Sequence, residues 1–114
     1  MAKADRLERL DVRREELEVD YRDALIAALR VTAGGRWGLF GHQKDKAAQA
    51  RTAPIIADLD ERAAEIDVMR DTLGLEPFAL HGEFMADRGP AAADAVGEPK
   101  QAKAWLARLG AEVA

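Results

Sequence analysis

The chain contains no cysteine and no serine, and these two absences narrow the chemistry that it could perform. Without cysteine there can be no disulfide, no thiolate metal ligand and no cysteine nucleophile. The aliphatic hydroxyl groups belong to Thr32, Thr52 and Thr72, which all fall in or at the ends of predicted helices, where threonine caps or fills. Carboxylates are plentiful, but general acid–base catalysis needs a pair held in a cleft with perturbed pKa values. We therefore expect a protein without enzyme activity, bound metal or cofactor.

Long apolar runs are also missing. The longest strongly apolar run, from Ala24 to Leu29, is far shorter than the roughly 20 residues that span a bilayer. The first residues lack the apolar stretch of a secretory signal. We therefore expect a cytoplasmic protein without a membrane partner. The net charge of −4 argues against nucleic acid as a partner, because acidic surface repels phosphate.

Alanine dominates what is present. Of the 114 residues 24 are alanine, whereas aromatic residues amount to 5%. Alanine is the best helix former but contributes little apolar area to burial. The composition therefore predicts an all-α fold in a single domain, residues 1–114, with the larger apolar side chains confined to a few helix faces.

The first segment, residues 6–33, has helical periodicity. Its apolar residues recur at alternating spacings of three and four, which is typical of a helix with one buried face: Leu7, Leu10, Leu17, Tyr21, Ala24, Ala28 and Val31. Arg14 is the one polar member of this stripe. Either it sets the register of a helix pairing, or its stem reaches out to water. Gly34 and Gly35 predict the end of the helix.

A second helix is predicted for residues 44–73. Its apolar face consists of Ile56, Leu59, Ala63, Ile66 and Leu73. The sequence Leu73-Gly74-Leu75, with Pro77 close behind, is typical of a Schellman helix end. Pro54 would remove one backbone hydrogen bond. We therefore expect a helix that is kinked near Pro54, with a break at Thr52 as the alternative.

Two shorter helices are predicted at residues 77–88 and 99–109, the second ended by Gly110, and a connector at residues 89–98 joins them. Together with the turn at residues 34–43, the long segments predict a long antiparallel helical hairpin with the two short C-terminal helices packed on it. Such short helices cannot cover the whole apolar stripe of the hairpin. We therefore expect a protein–protein interaction role, either as a coiled-coil-like homodimer or with another protein, since two-fold dimers are the commonest closed oligomers.

The turn has an unusual composition. Residues 34–42 hold four of the nine glycines and one of the two tryptophans. Aromatic residues and arginine are favoured at protein interfaces, so the turn predicts a partner-binding site made of Arg36, Trp37, Leu39 and Phe40. The structural alternative is that the two rings close the apolar end of the hairpin, because each ring can bury roughly 150–250 Å².

The same region is basic, with a net charge of +3 over residues 34–53. Glycines that lead into a helix can present backbone N–H groups to a phosphate. An alternative function is therefore binding of an anionic ligand or nucleic acid by the basic aromatic turn at residues 36–51. The candidate ligand residues are Arg36, His42, Lys44, Lys46 and Arg51. Their spacing does not match a P-loop.

A smaller group surrounds the second histidine. Glu76, His81, Glu83 and Asp87 lie near one another in the sequence. Their spacing fits no established His-x-x-x-His or Glu-x-x-His ligand pattern, so we predict no metal site. An enzyme that used His81 would need a concave pocket around it.

Overall fold

The computed structural model describes residues 2–34, 39–40, 46–88 and 98–111. Within these ranges the chain forms four α-helices and no strand: α1 (Ala2–Ala33), α2 (Lys46–Thr72), α3 (Ala79–Arg88) and α4 (Glu98–Arg108). The all-α class predicted from the composition is therefore confirmed for the described residues. Most of the predicted connector at residues 89–98 lies outside them.

The four predicted helices are present, but several of their ends differ from the prediction. α1 begins at Ala2 rather than at residue 6. Asp5 therefore lies in its first turn, where a carboxylate stabilises the helix by interacting with the positive end of its dipole. α2 is described from Lys46 onward, and its predicted start at residue 44 lies outside the described residues. α3 begins at Ala79 rather than at residue 77, because Phe78 precedes the helix and its N–H donates to Asp67 Oδ1 at 2.7 Å.

α2 continues through Pro54. The alternative of a break at Thr52 is therefore wrong. Thr52 does not stand at a helix start; it lies inside the helix and is 1% exposed. The proline leaves α2 one backbone hydrogen bond short, and packing of the helix on its neighbours must compensate for that loss.

Two helices end as their glycines predict. Gly74 has a φ of 71°. Leu75 N donates to the carbonyl of Arg70 at 2.8 Å, and Gly74 N donates to the carbonyl of Asp71 at 3.0 Å. These two bonds define the predicted Schellman motif. Gly110 repeats the pattern at the end of α4, with a φ of 70°.

α1 packs against both α2 and α4, and α3 contacts α2. The contacts pair the middle of α1 with the late part of α2, because Glu18 bonds Arg70, while Val31 and Pro54 line one cavity near the end of α1. The buried residues of all these elements form one cluster, which includes Trp105 and whose largest fully buried apolar members are Tyr21, Phe40, Phe84, Leu25, Leu29, Leu39, Leu59, Ile66 and Leu106.

The molecule is elongated. Its radius of gyration is 16.1 Å and its longest dimension is 56 Å, whereas a compact domain of this length would have a radius of gyration of about 13 Å. The length follows that of α1, which at about 1.5 Å per residue measures about 48 Å.

Candidate functional site

The structure places Leu39 and Phe40 of the predicted partner-binding turn in the core. Both residues are 0% exposed, and the Phe40 ring meets the Phe84 ring edge to face at 5.8 Å. Their burial accords with the alternative that this segment packs into the apolar core, since neither side chain offers surface to a partner protein. Arg36 and Trp37 lie outside the described residues, so a partner contact through them stays a prediction.

The ring of Phe84 extends this contact to the last helix. Phe84 is fully buried and packs edge to face against Trp105 of α4, with centroids 5.6 Å apart. Trp105 Nε1 donates to Asp87, and the guanidinium of Arg108 lies 4.4 Å from the centre of the Trp105 ring. Phe40, α3 and α4 are thereby held together by aromatic packing.

Of the five residues predicted to bind an anionic ligand, the structure describes the side chain of one. Arg51 lies exposed on α2. Lys46 is the first residue of α2, but its side chain lies outside the described part. Arg36, His42 and Lys44 also lie outside it. Binding of an anionic ligand by this turn therefore stays a prediction.

His81 of α3 bridges α1 and α2 through its two ring nitrogens. Nε2 lies 2.6 Å from Asp60 Oδ1, and Nδ1 lies 2.7 Å from the hydroxyl oxygen of Tyr21. A carboxylate only accepts, so in the neutral ring Nε2 donates and Nδ1 accepts the hydroxyl hydrogen of Tyr21. Burial, followed by the charge of Asp60, raises the pKa of Tyr21, which keeps the phenol protonated as a donor.

Sequence reasoning missed this bridge, because Tyr21 and Asp60 lie 60 and 21 residues from His81. One signal was present. Tyr21 carries a polar group within the apolar stripe of α1, and a buried tyrosine hydroxyl needs a partner.

The bridge has the geometry of a structural tether rather than of an open cleft. Tyr21 is 0% exposed, and the principal cavities of the described residues are lined by other side chains. Neighbours of His81 in the sequence are engaged elsewhere, since Glu83 pairs with Arg108 and Asp87 accepts from Trp105. Among the described residues no group of three or more His, Asp or Glu is placed to hold a metal ion.

Glu18 of α1 lies between two arginines. Arg70 of α2 donates to both carboxylate oxygens, at 2.7 Å and 3.1 Å, and Arg14 donates to Glu18 Oε2 at 2.6 Å. Burial alone would raise the pKa of Glu18, but the hydrogen bonds from Arg70 and Arg14 outweigh it and hold the pKa below its ordinary value. Arg14 also bonds Asp11 at 2.8 Å, so the polar member of the stripe is paired within its own helix.

The amino-terminal end of α1 extends past α2. Glu18 pairs with Arg70, close to the last residue of α2, whereas α1 continues back from Glu18 to Ala2. At about 1.5 Å per residue, this extension measures about 24 Å. Residues 4–9 are all exposed, and Leu7, a member of the apolar stripe, is 39% exposed. Part of the stripe is therefore open to solvent.

A second apolar surface lies along the seam between α1 and α2. Here a groove of about 360 Å³ is lined by three alanines and Val31 from α1 and by Pro54, Ile55, Asp58 and Leu59 from α2. Asp60 contacts α3, and Asp58 lies about 200° from Asp60 around a helix of 3.6 residues per turn. The groove therefore opens on the side of α2 away from α3.

Acidic side chains border this groove. Arg62 donates to Asp58 Oδ2 at 2.9 Å. That hydrogen bond and the charges of Asp58, Asp20 and Glu65 raise the pKa of Arg62. Asp58 thus bonds this guanidinium and the charges of Asp20 and Glu65 act on it, one helical turn from the groove. We call Asp20, Asp58, Arg62 and Glu65 the acidic rim.

No protein-family model, curated protein or solved structure matches this chain. Among the described residues, none of the helices combines the length and apolarity needed to cross a membrane.

Proposed function

We propose that the chain is a non-catalytic interaction protein that self-associates. Its architecture is a hairpin of α1 and α2 with α3 and α4 packed on it. The observation that carries the proposal is the open end of α1, where Leu7 of the apolar stripe is 39% exposed. The predicted cytoplasmic location stays a prediction.

A second copy is the occupant that suits this surface. Leu7, Leu10, Arg14 and Leu17 keep the alternating spacing of three and four that lets one helix pack along another. α2 covers the stripe near Glu18 but ends before it reaches Leu7. Leu17 is already buried, but a second α1 would cover Leu7 and Leu10 of both copies, as in a two-fold dimer.

Sedimentation velocity over about 1–100 µM tests self-association, because weak protein dimers dissociate in this range. We expect the sedimentation coefficient to rise with concentration towards that of a dimer. A monomer at every concentration would contradict the proposal.

We also propose that Arg36 and Trp37 contact a partner, because the burial of Leu39 and Phe40 leaves these two residues as the contact side chains of the turn. In a Trp105→Phe variant, fluorescence reports Trp37 alone. Emission that is red-shifted and quenched by iodide is expected for an exposed ring. A blue-shifted, unquenched signal would assign Trp37 to the core with Phe40.

A further inference from the structure

We infer that the groove between α1 and α2, together with the acidic rim, binds a basic amphipathic helix of another protein. The groove would receive large apolar side chains from one face of that helix. The acidic rim would pair with lysine or arginine side chains beside that face. This inference names a partner class for the proposed interaction role, but it uses a different surface from the self-association.

The shape of the groove fits the apolar face of a helix. Its α1 wall is mostly alanine, and Ala27 is exposed at its edge. Small side chains let an incoming helix approach closely, while Val31 and Ile55 supply apolar area. Helix-in-groove recognition uses such a surface to seat leucine-sized anchors spaced three or four residues apart.

The charge of the acidic rim favours a basic helix over a second copy of this chain as the occupant of the groove. Asp20 precedes Ala24 by one turn on α1, and Arg62 and Glu65 follow Asp58 on α2. The acidic rim therefore lies next to the groove along the same two helices, and the two together form one strip of surface. A second copy laid on this strip by two-fold symmetry would bring more carboxylates to it, and Arg62 is already bonded to Asp58. A basic helix supplies the opposite charge, which favours both encounter and register.

The test uses three designed peptides of about 18 residues, which make about five helical turns. One carries leucines on one face and lysines on the other. The second replaces the lysines with glutamates, and the third scrambles the leucine–lysine sequence so that no apolar face forms. Fluorescence anisotropy of each labelled peptide, titrated with the full-length protein, gives the affinity.

Two variants of the protein address the two parts of the surface. Ala27→Trp fills the groove from an exposed position, and Asp20→Lys/Glu65→Lys reverses the charge of the rim. The matched controls are Ala57→Trp, an exposed alanine of α2 outside the groove lining, and Glu8→Lys, an exposed acid near the start of α1. Circular dichroism verifies that every variant is folded.

We expect the leucine–lysine peptide to bind at least about tenfold more tightly than the other two, and each groove or rim variant to lose about tenfold in affinity. The two controls should leave the affinity unchanged. Equal binding of the scrambled peptide, equal loss in the controls, or no binding at low salt would overturn the inference. Sedimentation of the same proteins reports self-association independently, so a monomer that binds the peptide and a dimer that does not are distinguishable outcomes.

Discussion

At the residue scale, Phe40 contributes to the core although it belongs to the glycine-rich segment at residues 34–43. Its ring packs on Phe84, which in turn packs on Trp105, so these three aromatic side chains are packed together. The sequence indicated that the ring would be either packed or displayed, but it could not decide. The decision depends on α3 and α4, which supply the other two rings from distant parts of the chain.

This position predicts the cost of removing the ring. Phe40→Ala should lower the free energy of unfolding by about 3–5 kcal/mol, the usual effect of truncating a fully buried phenylalanine. Phe78→Ala is the matched control, because Phe78 is only half-buried and should lose less. Urea denaturation followed by circular dichroism measures both. A loss no larger for Phe40 than for Phe78 would contradict the packing described here.

Glu18 makes a prediction about pH. Its pKa is depressed in the folded protein, so the stability from the bonds of Arg70 and Arg14 is present above the unfolded pKa, ordinarily about 4.3. It is lost as the pH falls through the folded value. Glu18→Gln should therefore cost about 1–2 kcal/mol at pH 7, and the difference from the unsubstituted protein should shrink as the pH falls below about 4.3.

The matched control for this prediction is Glu16→Gln. Glu16 pairs with Arg13 on the exposed side of α1, with both side chains more than half exposed, so it should change stability by less than about 1 kcal/mol. Urea denaturation at several pH values measures both variants. A Glu18→Gln cost that stays constant down to acid pH would show that the carboxylate charge is not responsible.

At the element scale, helix existence was easier to predict than helix starts. The ends at Gly74 and Gly110 were predicted correctly, because a glycine with left-handed backbone stops a helix in a purely local way. The start of α3 was placed two residues early, because Phe78 N–H bonds Asp67 of α2. That partner lies on another element, and local sequence rules do not contain it.

The surfaces of the candidate site were likewise predictable from the sequence only in part. Apolar periodicity predicted the stripe that includes Leu7 and Leu17. It did not predict the groove, which depends on how far α1 and α2 are separated where alanines face Pro54. Nor could it predict that Tyr21, His81 and Asp60 meet, since that requires three helices to be placed in space.

Two glycines give a matched prediction at this scale. Gly74 has a φ of 71° and nothing within 4 Å of an added Cβ, whereas Gly82 lies inside α3 with the same open space and no positive φ. Gly74→Ala should destabilise the protein by about 1–2 kcal/mol, through backbone conformation alone. Gly82→Ala should stabilise it by about 0.5–1 kcal/mol, because alanine has the higher helix propensity.

Thermal denaturation by calorimetry measures the two glycine variants. The melting temperature should fall for Gly74→Ala and rise for Gly82→Ala. Since neither new methyl group meets a neighbour, a melting temperature that does not fall for Gly74→Ala would mean that the Schellman end does not hold in solution.

At the scale of the whole molecule, the elongated shape and the open end of α1 have one origin. α1 extends past the end of α2. Arg70, near the end of α2, binds at Glu18 and not at the first turns of α1. An isolated helix end of this kind has few tertiary contacts, so a second copy would add both burial and order to it.

We therefore expect Leu7 to be required for the proposed self-association. Leu7→Glu places a carboxylate in the proposed interface, where an unpaired charge is costly to bury, and should convert the dimer to a monomer in sedimentation velocity. Val68→Glu is the matched control, since Val68 is 67% exposed on α2, outside the stripe, and should leave the dimer intact. Small-angle scattering of the Leu7→Glu monomer should give a radius of gyration close to 16.1 Å. If the two variants have equal mass in sedimentation, the end of α1 is not part of the interface. If the monomer has a radius of gyration of about 13 Å, as expected of a compact domain, the end of α1 folds back onto its own chain.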